Sequence, residues 1–274
     1  MKHRLQKLIL PLLCLTGLAL ILYPQVSNLW NRHTSSRTIA NYTAEVSETT
    51  DEEYVDMFTE ALEYNRDLRK MGGYILSDEM LERYNTLLDV GGLGIMAFVE
   101  IPSLDVTLPI YHGTDPAVLQ IAVGHVEWTS LPTGGVGNHT VVCGHRGLPS
   151  AKLFTDLPNM EVGELFFVHV LNEQLTYEVD QIVTVNPDDM SELQPEDGKD
   201  YFTLLTCTPY GINTHRLLVR GHRIENPEEV TPTYIAAEAT EIDPMIVAPI
   251  IALPLLLLLL LPGTGKNRSR KGKK

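Results

Sequence analysis

From Gly94 to Arg223 the apolar residues come in short segments: Ile95–Ile101, Val106–Tyr111, Thr140–Cys143, Leu165–Val170, Leu175–Val185, Phe202–Cys207 and Leu217–Val219. Gly, Pro and polar residues separate them. β-Branched, aromatic and leucine side chains in such runs suit a pleated, half-buried surface, so each segment predicts a strand. A succession of short strands closes into a barrel or stacks as a sandwich, and the spacing alone is compatible with both. This pattern sets the fold class as mainly β over residues 91–225. Ala151–Leu157 suits a short helical insertion, and the acidic, polar stretch Pro187–Lys199 suits a surface loop.

Upstream the period changes. Asp51–Met71 carries Val55, Phe58 and Leu62 at +3 and +4 steps with charges between them, and Gly72-Gly73 ends the pattern. Ser77 suits the N-cap of a second helix, whose apolar face is Met80, Leu81, Tyr84, Leu87 and Leu88. Asn28–Thr50 is rich in Ser, Thr and Asn and reads as a tether. Residues 28–90 are therefore expected to be a polar tether followed by a helical subdomain.

The chemistry concentrates in Tyr201–Arg223, YFTLLTCTPYGINTHRLLVRGHR. Pro209, Gly211 and Asn213 supply turn residues between two apolar runs. A hairpin-like return brings Cys207 and Arg216 to one rim. A thiol beside a permanent cation is a candidate nucleophile, because the cation favours thiolate and binds a developing oxyanion. Such a nucleophile needs a base. His145 follows the Thr140–Cys143 run and precedes Gly147, so it is expected just past a strand. The order His, Cys, Arg argues against the papain arrangement. His215 and His222 flank the arginine strand, and His215 is a rival base. Arg220 shares the strand parity of Arg216 and reads as a structural ion pair, with Arg223 a further competitor. Cys143 reads as a filled strand position. No metal-ligand spacing and no phosphate or dinucleotide glycine motif stands in a suitable context, so no metal or cofactor is expected.

These residues carry a resemblance. Leu204–Cys207, inside TLLTC, resembles the TLxTC signature of sortases, the surface transpeptidases of Gram-positive bacteria. Gly144-His145-Arg146-Gly147 is similar to their catalytic-histidine loop. Arg216, nine residues after Cys207, falls where the catalytic arginine lies in the pilin-polymerising class C. The phrases EIPSLDVTLPIYHGT, VVCGHRGLPSAKLFTDL and TLLTCTPYGINTHRLLVRGHR together resemble that class over roughly Gly91–Arg223. The resemblance implies an eight-stranded β-barrel with short helical insertions. It also implies Cys207 as nucleophile, His145 as general acid–base and Arg216 as the cation for the oxyanion. Class C relatives often place an Asp-Pro-aromatic lid before the barrel. Here Gly73-Tyr74-Ile75-Leu76 stands in its place, so a plug would be Tyr74 or Ile75, and a plain connection between helices is the alternative.

Both ends of the chain read as membrane segments. Residues 1–7 are basic, and 8–27 hold the apolar run Leu8–Tyr23, expected to be a transmembrane anchor or signal-anchor. A cleavable signal peptide is the rival, but no small-x-small site follows the run. Residues 226–243 form an acidic tether, 244–265 a second transmembrane helix around Met245–Leu261, and 266–274 a basic tail. Basic ends stay cytoplasmic, which puts Gln25–Asp243 outside the cell membrane. All 35 acidic side chains of this −14 chain lie in that exported part, which argues against nucleic acid as a partner. Leu261–Gly265 reads LPGTG, the peptide that sortases cut. It follows the apolar run instead of preceding it, and is expected to be a chance meeting of a leucine run and a Pro-Gly breaker.

The function implied by the resemblance is that of a membrane-anchored cysteine transpeptidase. It would cleave LPxTG-like sorting signals between Thr and Gly and join the acyl group to a lysine amine of a pilin subunit, building covalent pili. A sortase that anchors proteins to peptidoglycan, a cysteine hydrolase and a non-catalytic assembly scaffold stay open as alternatives.

Overall fold

In a computed structural model of the 274-residue chain the described residues are Lys2–Pro227, with side chains from Leu13 onward. They fall in two compact units, one whose described part ends at Val26 and one that starts at Ser27. Helix α1 (Lys2–Glu48) carries the N-terminal apolar run, and among the described residues it is the one helix long and apolar enough to cross a membrane. The expected second span, the LPGTG segment, the basic tail and most of the acidic tether lie outside the described residues.

Asn28–Thr50 is not a tether, because the helix continues to Glu48. Ile39, Tyr42 and Val46 recur at helical spacing and are buried. The Tyr42 hydroxyl donates to the Met96 carbonyl (3.2 Å) and accepts from the Leu171 amide (2.7 Å). The polar residues that suggest a linker are hydrogen-bonded instead. Ser27 and Asn31 donate to the Ser150 carbonyl (2.9 and 2.6 Å), and Asn28 accepts from the Lys152 amide (2.9 Å).

Helix α2 (Asp51–Met71) starts with a capping box in which Thr50 and Glu53 satisfy each other's backbone donors. Its buried face is Ala61, Tyr64, Asn65 and Leu68, whereas Val55 and Leu62 of the expected face are exposed. Asn65 explains the rotation: its amide accepts from the Leu131 N–H (2.7 Å) and donates to the Leu131 carbonyl (3.1 Å), docking the helix through a polar residue that no apolar pattern reveals. Helix α3 (Asp78–Tyr84) is capped by Ser77 as expected but ends at Tyr84, with Leu87 and Leu88 buried beyond it.

Eight strands close into a barrel in the order β1-β2-β3-β4-β7-β8-β6-β5. They are β1 (Ile95–Ile101), β2 (Val106–Tyr111), β3 (Val123–His125), β4 (Asn138–Cys143), β5 (Leu165–Val170), β6 (Glu173–Val185), β7 (Asp200–Thr208) and β8 (His215–Ile224). Closure leaves no unpaired edge. The neighbours β2–β3 and β4–β7 run parallel, and the others antiparallel. A short helix, α4 (Pro116–Leu119), precedes β3. The interior holds Val142, Phe166, Tyr177, Phe202, Leu204 and Val219. Gly221 lies against this core, where a Cβ would come within 2.6 Å of the Phe166 ring. The 151–157 segment is not a helix. Ala151, Phe154 and Leu157 have helical spacing, but they are buried from consecutive turns, with Leu153 at φ 39° and a 3₁₀ turn only at Leu157–Asn159. The 187–199 stretch is mostly exposed, yet Met190 and Leu193 turn inward onto the barrel wall.

Two buried histidines set a pH dependence. His125 Nε2 meets the Ser130 carbonyl (2.9 Å), so Nε2 carries the proton and Nδ1 accepts from Tyr84 (3.0 Å). By the same reasoning His139 gives Nδ1–H to the Gln194 carbonyl (3.0 Å) and accepts from Thr203 (2.7 Å). Burial pushes His125 down to about 3 and His139 down to about 4. Both values lie below that of an unfolded imidazole, so the unfolded chain takes up protons first as pH falls below about 6.5. Stability is then lost toward acid, by about 3 kcal/mol for the pair between pH 6.5 and 5. The urea midpoint is expected to drop over this range, and less so in His139→Gln. A midpoint that does not move would contradict the buried neutral state.

Candidate active site

On β7 and β8, Cys207 stands opposite Arg216. On β4 and β7, Cys143 stands opposite Leu205. Strand side chains alternate faces, so Cys143, Leu205, Cys207, Leu218 and Arg216 share the outward face of this wall. The same face carries Val141, packed with Leu205, Leu218, Trp128, Val183 and Leu193 in a cluster separate from the barrel interior.

Past Cys143 the chain leaves β4 but stays tied to β7. The Gly144 amide donates to the Leu205 carbonyl (3.0 Å), and the buried Thr206 hydroxyl donates to the Gly144 carbonyl (2.7 Å). Arg146 Nη1 donates to the Thr208 hydroxyl (3.2 Å). With its two neighbours held beside residues 205–206 and 208, His145 runs alongside Cys207. The three sequence candidates thus form one row, His145, Cys207 and Arg216, across β4's extension, β7 and β8. Gly144 permits the approach, since a Cβ there would come within 2.7 Å of the Phe154 ring.

All three side chains are partly exposed. Arg216 Nη1 donates to the carbonyls of Asn213 (3.3 Å) and His215 (3.1 Å), and no carboxylate pairs with it among the described residues. The rivals are placed elsewhere. His215 pairs with Thr208, on the opposite face from Cys207, and its ring meets Thr214 (2.9 Å). Arg220 is an ion pair with Asp180 (3.0 and 3.1 Å), stacked over Tyr201. Arg223 donates to the carbonyls of Thr176 and Ile224. Cys143 shares the face and, like Cys207, is only partly exposed. Desolvation by the surrounding wall, and then the neighbouring Cys207, push its thiol up to about 12, against an opposing pull from Arg216. It therefore stays protonated at neutral pH.

Trp128 and Tyr210 are site neighbours that sequence reasoning missed. Trp128 caps the outward cluster, and Tyr74 from the α2–α3 connection packs on it edge-to-face at 4.8 Å, while Gln194 donates to the Tyr74 hydroxyl (2.7 Å). The connection is therefore docked at the groove wall through Tyr74, while Ile75 is 89% exposed. The one available signal was a tryptophan in a loop, which by itself does not distinguish a groove wall from a core residue.

A thiol flanked on one side by an imidazole and on the other by a guanidinium that no carboxylate neutralises among the described residues is equipped for acyl transfer. In such an arrangement an imidazole can move the thiol proton, and a guanidinium can balance charge on a tetrahedral oxygen. The layout thus defines a class, thiol-dependent acyl-transfer proteins built on a β-barrel wall. Comparison narrows it. Residues 99–224 match the sortase domain. Sortase C1 of Streptococcus agalactiae is 46% identical with a TM-score of 0.68, over 70% of this chain and 100% of that one. Sortase C of Streptococcus pneumoniae is 42% identical with a TM-score of 0.63, over 69% and 97%. Sortase D of Bacillus subtilis is 29% identical over 129 residues, 46% of this chain and 62% of that protein's length. The chain belongs to the sortase family, whose members are cysteine transpeptidases, and its solved structural neighbours include class C sortases.

Proposed function

We propose that the chain is a membrane-anchored transpeptidase that polymerises pilin subunits. The Cys207 sulfur adds to the Thr–Gly carbonyl of an LPxTG-like signal, and His145 passes the thiol proton to the departing glycine amine. Arg216 holds the oxyanion between these steps. A thioester results. A lysine amine of the next subunit then displaces the sulfur, giving an amide and returning the thiol. The observation that carries this reading is the single row of His145, Cys207 and Arg216 across three adjacent stretches of chain. The pneumococcal relative, which is described in terms of pilin substrate specificity, supports the choice of amine. The apolar part of α1 is compatible with anchoring, and the basic ends support an extracellular catalytic domain.

The test is mass spectrometry of the chain incubated with a sorting peptide, followed by an amine. Expected are an acyl adduct on Cys207 and its transfer to a pilin lysine peptide. Transfer to a cell-wall peptide alone would favour anchoring to peptidoglycan. Free acid despite added amine would favour a hydrolase, and no adduct a scaffold.

A further inference from the structure

We propose that Arg146 is a positioning residue that holds His145 against Cys207, in place of a side chain that would orient the imidazole. This rests on the transpeptidase reading above. A catalytic imidazole is ordinarily fixed by a hydrogen bond from its second ring nitrogen. Among the described residues no partner reaches the His145 ring, as also for His33 and His222, whereas His112, His125, His139, His169 and His215 each engage a ring nitrogen. Its position is set through the main chain. On one side Gly144 is bonded twice to β7, and the His145 carbonyl accepts from the Phe154 amide (3.1 Å). On the other side the link to β7 is the Arg146–Thr208 hydrogen bond. The guanidinium also lies 5.8 Å from the centre of the Tyr210 ring. That ring occupies the space beside Gly147, where a Cβ would come within 2.8 Å of it. Arg146 and Tyr210 together latch the loop that carries His145 to the turn that follows Cys207.

The latch has a cost that a neutral bridge to Thr208 would avoid. Arg146 Nε is buried without a partner, and no carboxylate pairs with the guanidinium among the described residues, in a chain with 35 acidic side chains. A partly buried cation with an orphan donor is unfavourable. The rigid planar fork is what a neutral side chain does not provide. Local departures of this kind concentrate at functional positions.

The experiment uses the full chain in detergent and follows thioester formation with an LPxTG peptide. In Arg146→Met, kcat is expected to fall about 10–100-fold, as for a misplacement of about 1 Å. KM should stay within about two-fold, and Cys207 should still be alkylated by iodoacetamide. Thr208→Val should lower kcat by less. The double variant should be no worse than Arg146→Met, because both residues belong to one link. Arg146→Lys should recover part of the loss. The proposal is overturned if kcat survives in Arg146→Met and Thr208→Val, if the two losses multiply, or if KM rises instead. Should Arg146→Met fail to fold, Thr208→Val and Arg146→Lys decide by the same criteria. A wild type that forms no thioester removes the transpeptidase reading and the latch with it. A wild type that forms one beside a fully active Arg146→Met removes the latch alone.

Discussion

A Cys207→Ala chain is expected to form no covalent adduct with a sorting peptide and no amide product, while its melting temperature stays close to that of the wild type. The sulfur is partly exposed on the outward face of β7, so removing it opens no cavity in the barrel interior. The loss is of chemistry and not of fold. Cys143 does not take over. It lies on the same face, opposite Leu205, but desolvation keeps its thiol protonated far above neutral pH. Intact-mass measurement after peptide incubation reads the result directly. Any acyl adduct in Cys207→Ala would assign the nucleophile wrongly.

Arg216→Gln should follow in size, with kcat down about 10²–10³-fold and KM little changed, as for loss of one donor to a tetrahedral oxyanion. Arg220→Gln is the matched comparison. Arg220 is four residues along the same strand face but is engaged with Asp180, with side chains 17% and 24% exposed. Its loss strands a partly buried carboxylate and should cost on the order of 1–3 kcal/mol of stability, discounted for solvent, with kcat kept. Rapid-mix kinetics and urea unfolding on the two variants separate the roles. If Arg220→Gln loses kcat and Arg216→Gln does not, the charge at the oxyanion comes from the wrong arginine.

How far the sequence reveals this arrangement depends on how local each interaction is. Seven of the eight strands are legible, because a run such as Ile95–Ile101 carries its own signal. The eighth, Val123–His125, is three residues with Gly and His among them, and exists because β2 and β4 flank it. The second half of α1 is hidden by its Ser, Thr and Asn content, since those residues bond to a loop more than a hundred positions away. Within the site, the return from Cys207 to Arg216 follows from turn residues. The parallel pairing of β4 with β7 leaves no turn to read, so the place of His145 rested on a phrase resemblance. The register from Cys143 to Leu205 and the Arg146–Thr208 contact now give it a physical basis.

The bifurcated role of the Tyr42 hydroxyl bears on how the enzyme is to be handled. A soluble fragment begun at Asp51, the first residue of the next helix, would strip the hydroxyl that both the Met96 carbonyl and the Leu171 amide use, and would bare the wall around Phe98. Two stranded main-chain groups and a newly wetted aromatic patch make such a fragment prone to aggregate. Trimming at Ser27 removes the greasy leader and leaves that seal in place.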